Sequence, residues 1–100
     1  MAVIGIGRIP GDSQELLGKY DQVVAELGQI PPPGAISHYC VVTPEGITVA
    51  NVFEDEDGLR AHYGRAEFRQ ALERAGVPRF TPEVRPVHNW RHAPVTAAVK

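Results

Sequence analysis

The chain is poor in the residues on which many protein classes depend. It has a single cysteine, Cys40, so an intrachain disulfide is excluded and no Cys-x-x-Cys ligand pair exists. Without disulfides to staple a small secreted scaffold, a reducing compartment is the simpler assignment, and the cytoplasm is the expected location. No stretch approaches the roughly 18 apolar residues that a membrane-spanning helix needs. The apolar run at 1–9 has no basic residues ahead of it and does not read as a signal peptide. Positive charge is not in excess either. Ten Lys and Arg stand against twelve Asp and Glu, for a net charge of −2, so the basic footprint of a nucleic-acid binder is missing. There is no Walker loop and no Gly-x-Ser-x-Gly elbow. In Gly5-Ile-Gly7-Arg-Ile-Pro-Gly11 the last glycine is displaced and Pro10 takes its place, so a dinucleotide fingerprint is rejected.

What remains reads as one compact domain over 1–92 with a C-terminal tail at 93–100. A length of 100 residues and a hydrophobic fraction of 43% fit a single core with little margin. Residues 2–9 form a short apolar run ended by Pro10-Gly11-Asp12, which predicts a strand with Gly5 and Gly7 on one face. Over 12–27, Leu16, Leu17, Tyr20, Val23, Val24 and Leu27 recur at the spacing of one helical face. Asp12 with Glu15 makes a capping pattern, and Gly28 fits the stop. The runs 35–43 and 47–54 flank Pro44-Glu45-Gly46 and predict a hairpin whose strands are apolar on both faces. Residues 55–75 predict a second helix with a phase shift at Gly64. A fourth strand is expected over 83–91, where Pro86 argues for an edge. The order is that of the ferredoxin-like split βαβ unit: α+β, βαββαβ, an antiparallel four-stranded sheet with two helices on one face. The other face is apolar as well, which predicts a homodimer through that face.

The stretch carrying Phe53, Glu54, Asp55, Leu59, His62 and Phe68 resembles the dimeric α+β barrel superfamily, and within it the antibiotic biosynthesis monooxygenase-like proteins. The resemblance implies a homodimer with a pocket between each sheet and its helices. It also implies cofactor-free oxygenase, polyketide cyclase or haem-degrading chemistry. The chain departs from the family pattern at Phe53, where a tryptophan is usual. It departs again on strand one, where the asparagine of the haem-degrading members is lacking and Gly5 and Gly7 stand.

Three polar residues on apolar strands are the catalytic candidates: His38, His88 and Asn51. A histidine moves protons near neutral pH, and a buried amide without a bond is costly, so Asn51 is suited to hold a developing enolate oxygen. Phe53, Tyr39, Tyr63 and Trp90 are the candidate substrate-binding residues, their rings suited to an apolar or aromatic ligand. Strand parity leaves His38 and Tyr39 as rivals for the inner face, and likewise His88 and Asn89. His38, Cys40 and His88 are the one conceivable metal set; no metal is assigned. The expected function is a small-molecule enzyme of the antibiotic biosynthesis monooxygenase-like type, an oxygenase or cyclase on an aromatic or polyketide-like substrate, with no cofactor. The alternatives are a non-catalytic ligand-binding or stress-associated homodimer and, third, a haem or metal binder.

Overall fold

The structure, a computed structural model, describes residues 1–28 and 31–91. The tail at 93–100 and His92 lie outside the described residues. Seven elements follow in order: β1 (Val3–Pro10), α1 (Ser13–Leu27), β2 (Ala35–Thr43), β3 (Gly46–Phe53), α2 (Glu56–Gly64), α3 (Ala66–Ala75) and β4 (Glu83–Pro86). The strands form one antiparallel sheet in the order β2-β3-β1-β4. This is the ferredoxin-like arrangement, with the second helix divided.

Side-chain caps fix the starts of α1 and α2. The Asp12 side chain accepts the Glu15 N–H at 2.9 Å, and the Asp55 side chain accepts the Gly58 N–H at 2.8 Å. The expected single helix over 55–75 is broken at Arg65, whose backbone is extended. The reason is packing. On α2, Leu59 is buried with Val3 and Phe53 against the sheet, whereas on α3, Ala71 and Ala75 are buried with Val23 of α1. The two stretches serve different partners, and one straight helix cannot face both. Gly76, in the left-handed region, ends α3.

The fourth strand is shorter than the sequence suggested, stopping at Pro86 rather than at Arg91. Pro86 lies opposite Val3, the first residue of β1, and one more bond, from the Val87 N–H to the Ala2 carbonyl, completes the pairing. β4 is an edge strand, as its proline requires.

Alternation in the paired strands divides the sheet into two faces. Val3, Gly5, Gly7 and Ile9 lie opposite Phe53, Asn51, Val49 and Ile47, and this face carries the helices. His38 lies opposite Asn51, so His38 and Cys40 face the helices and Tyr39 and Val41 face away. Tyr39 and Val41 are about half exposed, beside Ile4, Ile6 and Ala50 on the same outer face. Arg8, Glu83 and Arg85 border that face with ion pairs of 2.9 and 2.8 Å. Among the described residues no helix is long and apolar enough to cross a membrane.

Candidate functional site

Asn51 is the sole buried polar residue among the described core positions, and its amide organises the helix-side face. Its Nδ2 donates to the Tyr63 hydroxyl at 2.8 Å, and its Oδ1 lies 2.6 Å from His38 Nδ1. A carbonyl oxygen only accepts, so Nδ1 of His38 carries the proton. The neutral ring then presents a lone pair at Nε2, which receives the Tyr20 hydroxyl. The Tyr20 and His38 rings lie parallel with centroids 5.8 Å apart. A directed chain therefore runs from Tyr20 on α1 through His38 on β2 and Asn51 on β3 to Tyr63 on α2. Its outer end is the exposed sheet edge and its inner end lies beneath the helices.

Gly5 makes the inner end possible. A Cβ there would come 3.2 Å from Tyr63 Cε2 and 3.0 Å from Leu59 Cδ1, so the bare backbone lets Tyr63 settle on the sheet within reach of Asn51. Burial raises the Tyr63 hydroxyl pKa above the usual phenol range, against a lowering by the Asn51 bond. Tyr20 is raised too, first by burial and then by Cys40 and Asp21. Both phenols therefore stay protonated at neutral pH. Since the Tyr63 oxygen accepts from Asn51, its own O–H is not used in that bond. Cys40 is pushed up by burial, then by Asp21, which keeps the thiol protonated and poorly nucleophilic.

His62 stands beside this chain in an aromatic cluster, its ring 5.5 Å from Phe53, 5.3 Å from Tyr63 and 4.7 Å from Phe68. Its Nδ1 is buried without a hydrogen-bond partner among the described residues. Burial, then Arg65 and His38, lowers its pKa below the usual imidazole range. The unfolded chain thus binds a proton before the folded one does. Stability from this group is present above about pH 6.5, the unfolded value, and is lost as pH falls through the lower folded value. His62→Phe is expected to flatten the decline in urea midpoint just below pH 6.5, with little loss at pH 7.5. An unchanged slope would remove His62 as its cause.

Tyr63 also contributes to a cleft of about 460 Å³, walled further by Phe68, Leu72, Val77, Phe80 and Pro82. Exposed Arg69, Glu73 and Arg79 line it too. The wall beyond α3 is anchored by Phe80, which lies over Gly7: a Cβ there would sit 2.6 Å from Phe80 Cδ2. Gly7→Ala is therefore expected to push Phe80 out of its seat, destabilising the fold by about 1–3 kcal/mol, as overpacking does. Urea unfolding measures that cost, and a neutral result would mean Phe80 does not hold this wall.

The sequence candidates are distributed unevenly. His38, Asn51 and Tyr63 come together in the chain, and Phe53 lies fully buried beside it in the core. Tyr39 faces the opposite side of the sheet. His88 and Trp90 lie past the end of β4 and are exposed, so the short strand does not carry them onto the helix-side face. No group of three His, Cys, Asp or Glu side chains among the described residues is placed to hold a metal ion. Two contributors escaped sequence reasoning. Tyr20 reads as one more member of an apolar helical stripe, and Phe80 lies in an irregular stretch. Only the strand register and the glycine at position 7 point to their roles.

No protein-family model and no curated protein matches the chain. Solved structures do. SnoaB, a cofactor-independent oxygenase from Streptomyces nogalater, superposes with a TM-score of 0.62 at 12% identity, over 89% of this chain and 93% of that one. An antibiotic biosynthesis monooxygenase-like protein from Deinococcus radiodurans gives 0.64 at 9% identity, over 93% and 98%. Another from Chloroflexus aurantiacus gives 0.56 at 16% identity, over 90% and 95%. The chain thus shares the fold of these solved structures, the fold that the sequence resemblance implied.

Proposed function

We propose that the protein is a small-molecule enzyme of the antibiotic biosynthesis monooxygenase-like type, a cofactor-independent oxygenase or cyclase acting on an aromatic or polyketide-like substrate, and that it works as a cytoplasmic homodimer joined through its outer sheet face. The observation that carries this reading is the hydrogen-bond chain ending on Tyr63, which also walls an aromatic cleft. The oxygenase among the fold's relatives adds support. In this scheme the substrate's ring system packs on Phe68, Leu72 and Phe80. The Tyr63 O–H donates to the oxygen that carries the enolate or phenolate charge, while Asn51 holds the hydroxyl in place. His38, through its bond at Nδ1, orients the Asn51 amide, and the substrate enters the scheme as its enolate or phenolate formed in solution. An electron-rich enolate reacts with dioxygen without a cofactor, so the protein's part is to bind, orient and stabilise charge.

The dimer rests on the apolar outer face, where Tyr39 and Val41 are exposed beside Ile4 and Ile6. A monomeric mass in sedimentation equilibrium at tens of micromolar would remove that part of the reading.

The ligand test is thermal shift with a panel of naphthols, hydroxyquinones and anthrones, followed by oxygen uptake with any hit. A ligand at 100 times its Kd adds about 2.7 kcal/mol, and at this size each kcal/mol moves Tm by about 4–8 °C. A shift with uptake supports the oxygenase, and a shift with anaerobic product formation supports the cyclase. A shift with no turnover favours the ligand-binding dimer, to which the full occupancy of both His38 nitrogens also lends weight. No shift across the panel ends the enzyme reading.

A further inference from the structure

The charged lining of the cleft is at odds with the chain that builds it. The whole sequence is acidic, with a net charge of −2, yet the cleft is lined by two arginines, Arg69 and Arg79, and one carboxylate, Glu73. That carboxylate neutralises little. Its nearest approach to Arg79 is 4.0 Å, with the Arg79 side chain 90% exposed. Among the described residues no ion pair engages Arg69. Three arginines elsewhere on the surface are better matched: Arg74 is held by Glu26 through two bonds, Arg60 by Glu56, and Arg8 by Glu83. Arg65 reaches Glu67 only at 3.6 Å, and Arg91 has no ion pair among the described residues. Two loosely held guanidinium groups thus line a cleft that also carries aromatic walls.

We propose that this cleft selects an aromatic ligand bearing a carboxylate, its ring on Phe68 and Phe80 and its acid group taken by Arg69 and Arg79. The proposal rests on the cleft being the ligand site of the function above, and narrows its substrate class. The chemistry favours this occupant. A guanidinium offers a planar fork of donors matched to a carboxylate, and it stacks on aromatic faces. The apolar walls supply the area that holds the ring. The Tyr63 hydroxyl, a neutral donor, is left for a second oxygen on the ring rather than for the acid group.

The test measures the affinities of three probes by isothermal titration calorimetry: 2-naphthoate, the neutral 2-acetylnaphthalene of similar shape, and the cationic 2-naphthylmethylammonium. Naphthoate is expected to bind about tenfold tighter than the neutral probe at low salt, with the cation weakest. The naphthoate preference should shrink in 1 M NaCl, because exposed charges are screened. Arg69→Gln and Arg79→Gln should each weaken naphthoate by about three- to fivefold, the range of exposed pairs, and leave the neutral probe unchanged. Both side chains are exposed, so the fold is expected to survive, and circular dichroism verifies it. Equal affinity for naphthoate and the neutral probe overturns the selectivity while leaving the cleft as a ligand site. A naphthoate preference that survives both substitutions overturns the assignment to these arginines. Binding by none of the three overturns this proposal and, with it, the cleft as the site of the proposed function.

Discussion

Asn51→Leu is expected to lower turnover of a substrate found by the ligand screen by about 10²-fold or more, the scale of losing one donor that stabilises developing charge. The size follows from where the amide stands. Its two ends serve two different partners, so leucine leaves His38 Nδ1 and the Tyr63 hydroxyl both without their bond. Each orphaned polar group costs about 1–3 kcal/mol where it is buried, partly offset because a leucine is well suited to a position that is 7% exposed. Asn51→Asp separates geometry from polarity. A carboxylate accepts from both sides, so the Tyr63 proton would turn toward the strand and away from the cleft. Turnover should therefore fall in this variant as well, although both hydrogen bonds persist. Oxygen-uptake kinetics on both variants, with urea unfolding alongside, decides the matter. Turnover within threefold of the parent in Asn51→Leu would show that the chain of bonds is structural only.

Phe53→Ala carries the largest expected cost in stability, about 3–5 kcal/mol by the measure of large-to-small core substitutions. A domain of this length has only about 5–15 kcal/mol in total. Phe53 is 1% exposed, packs with Val3 and Leu59, and lies 5.5 Å from the His62 ring. Its loss opens a cavity where β1, β3 and α2 meet, and α2 carries Tyr63. The variant should thus lose both midpoint and ligand affinity, whereas Tyr39→Ala, on the outer face, should leave the affinity unchanged. A cost below about 1 kcal/mol for Phe53→Ala would mean that this junction collapses freely around the gap.

Much of the architecture was legible in the sequence because local rules and global packing agree in it. The capping pattern at Asp12, the apolar stripe of α1 and the turn residues before Gly46 each point to the element that forms. The family-like residues turn out to be chiefly structural. Asp55 caps α2, Leu59 fills the core over Gly5, and Phe68 packs against His62. That explains why they speak to fold more than to reaction. The division at Arg65 was visible only as a shift of phase at Gly64, since the two partners that pull the helix apart are remote in sequence. Strand parity alone did not choose between His38 and Tyr39; the pairing of His38 with Asn51 does. Tyr20 was hidden for the same reason, because a tyrosine on an apolar stripe shows its polar end only once the neighbouring strand is placed.

The break at Arg65 has a bearing on how such a protein changes over generations. The hydroxyl of Tyr63 is fixed by the sheet beneath α2, whereas Phe68, Arg69 and Leu72 ride on α3, which is braced against α1. In the proposed site the charge-stabilising group and the groups that fit the ring thus belong to separately anchored pieces. Substitutions along α3 can recut the opening for a new guest while the machinery under α2 keeps its alignment. A scaffold partitioned in this way can diversify its clientele one exposed position at a time.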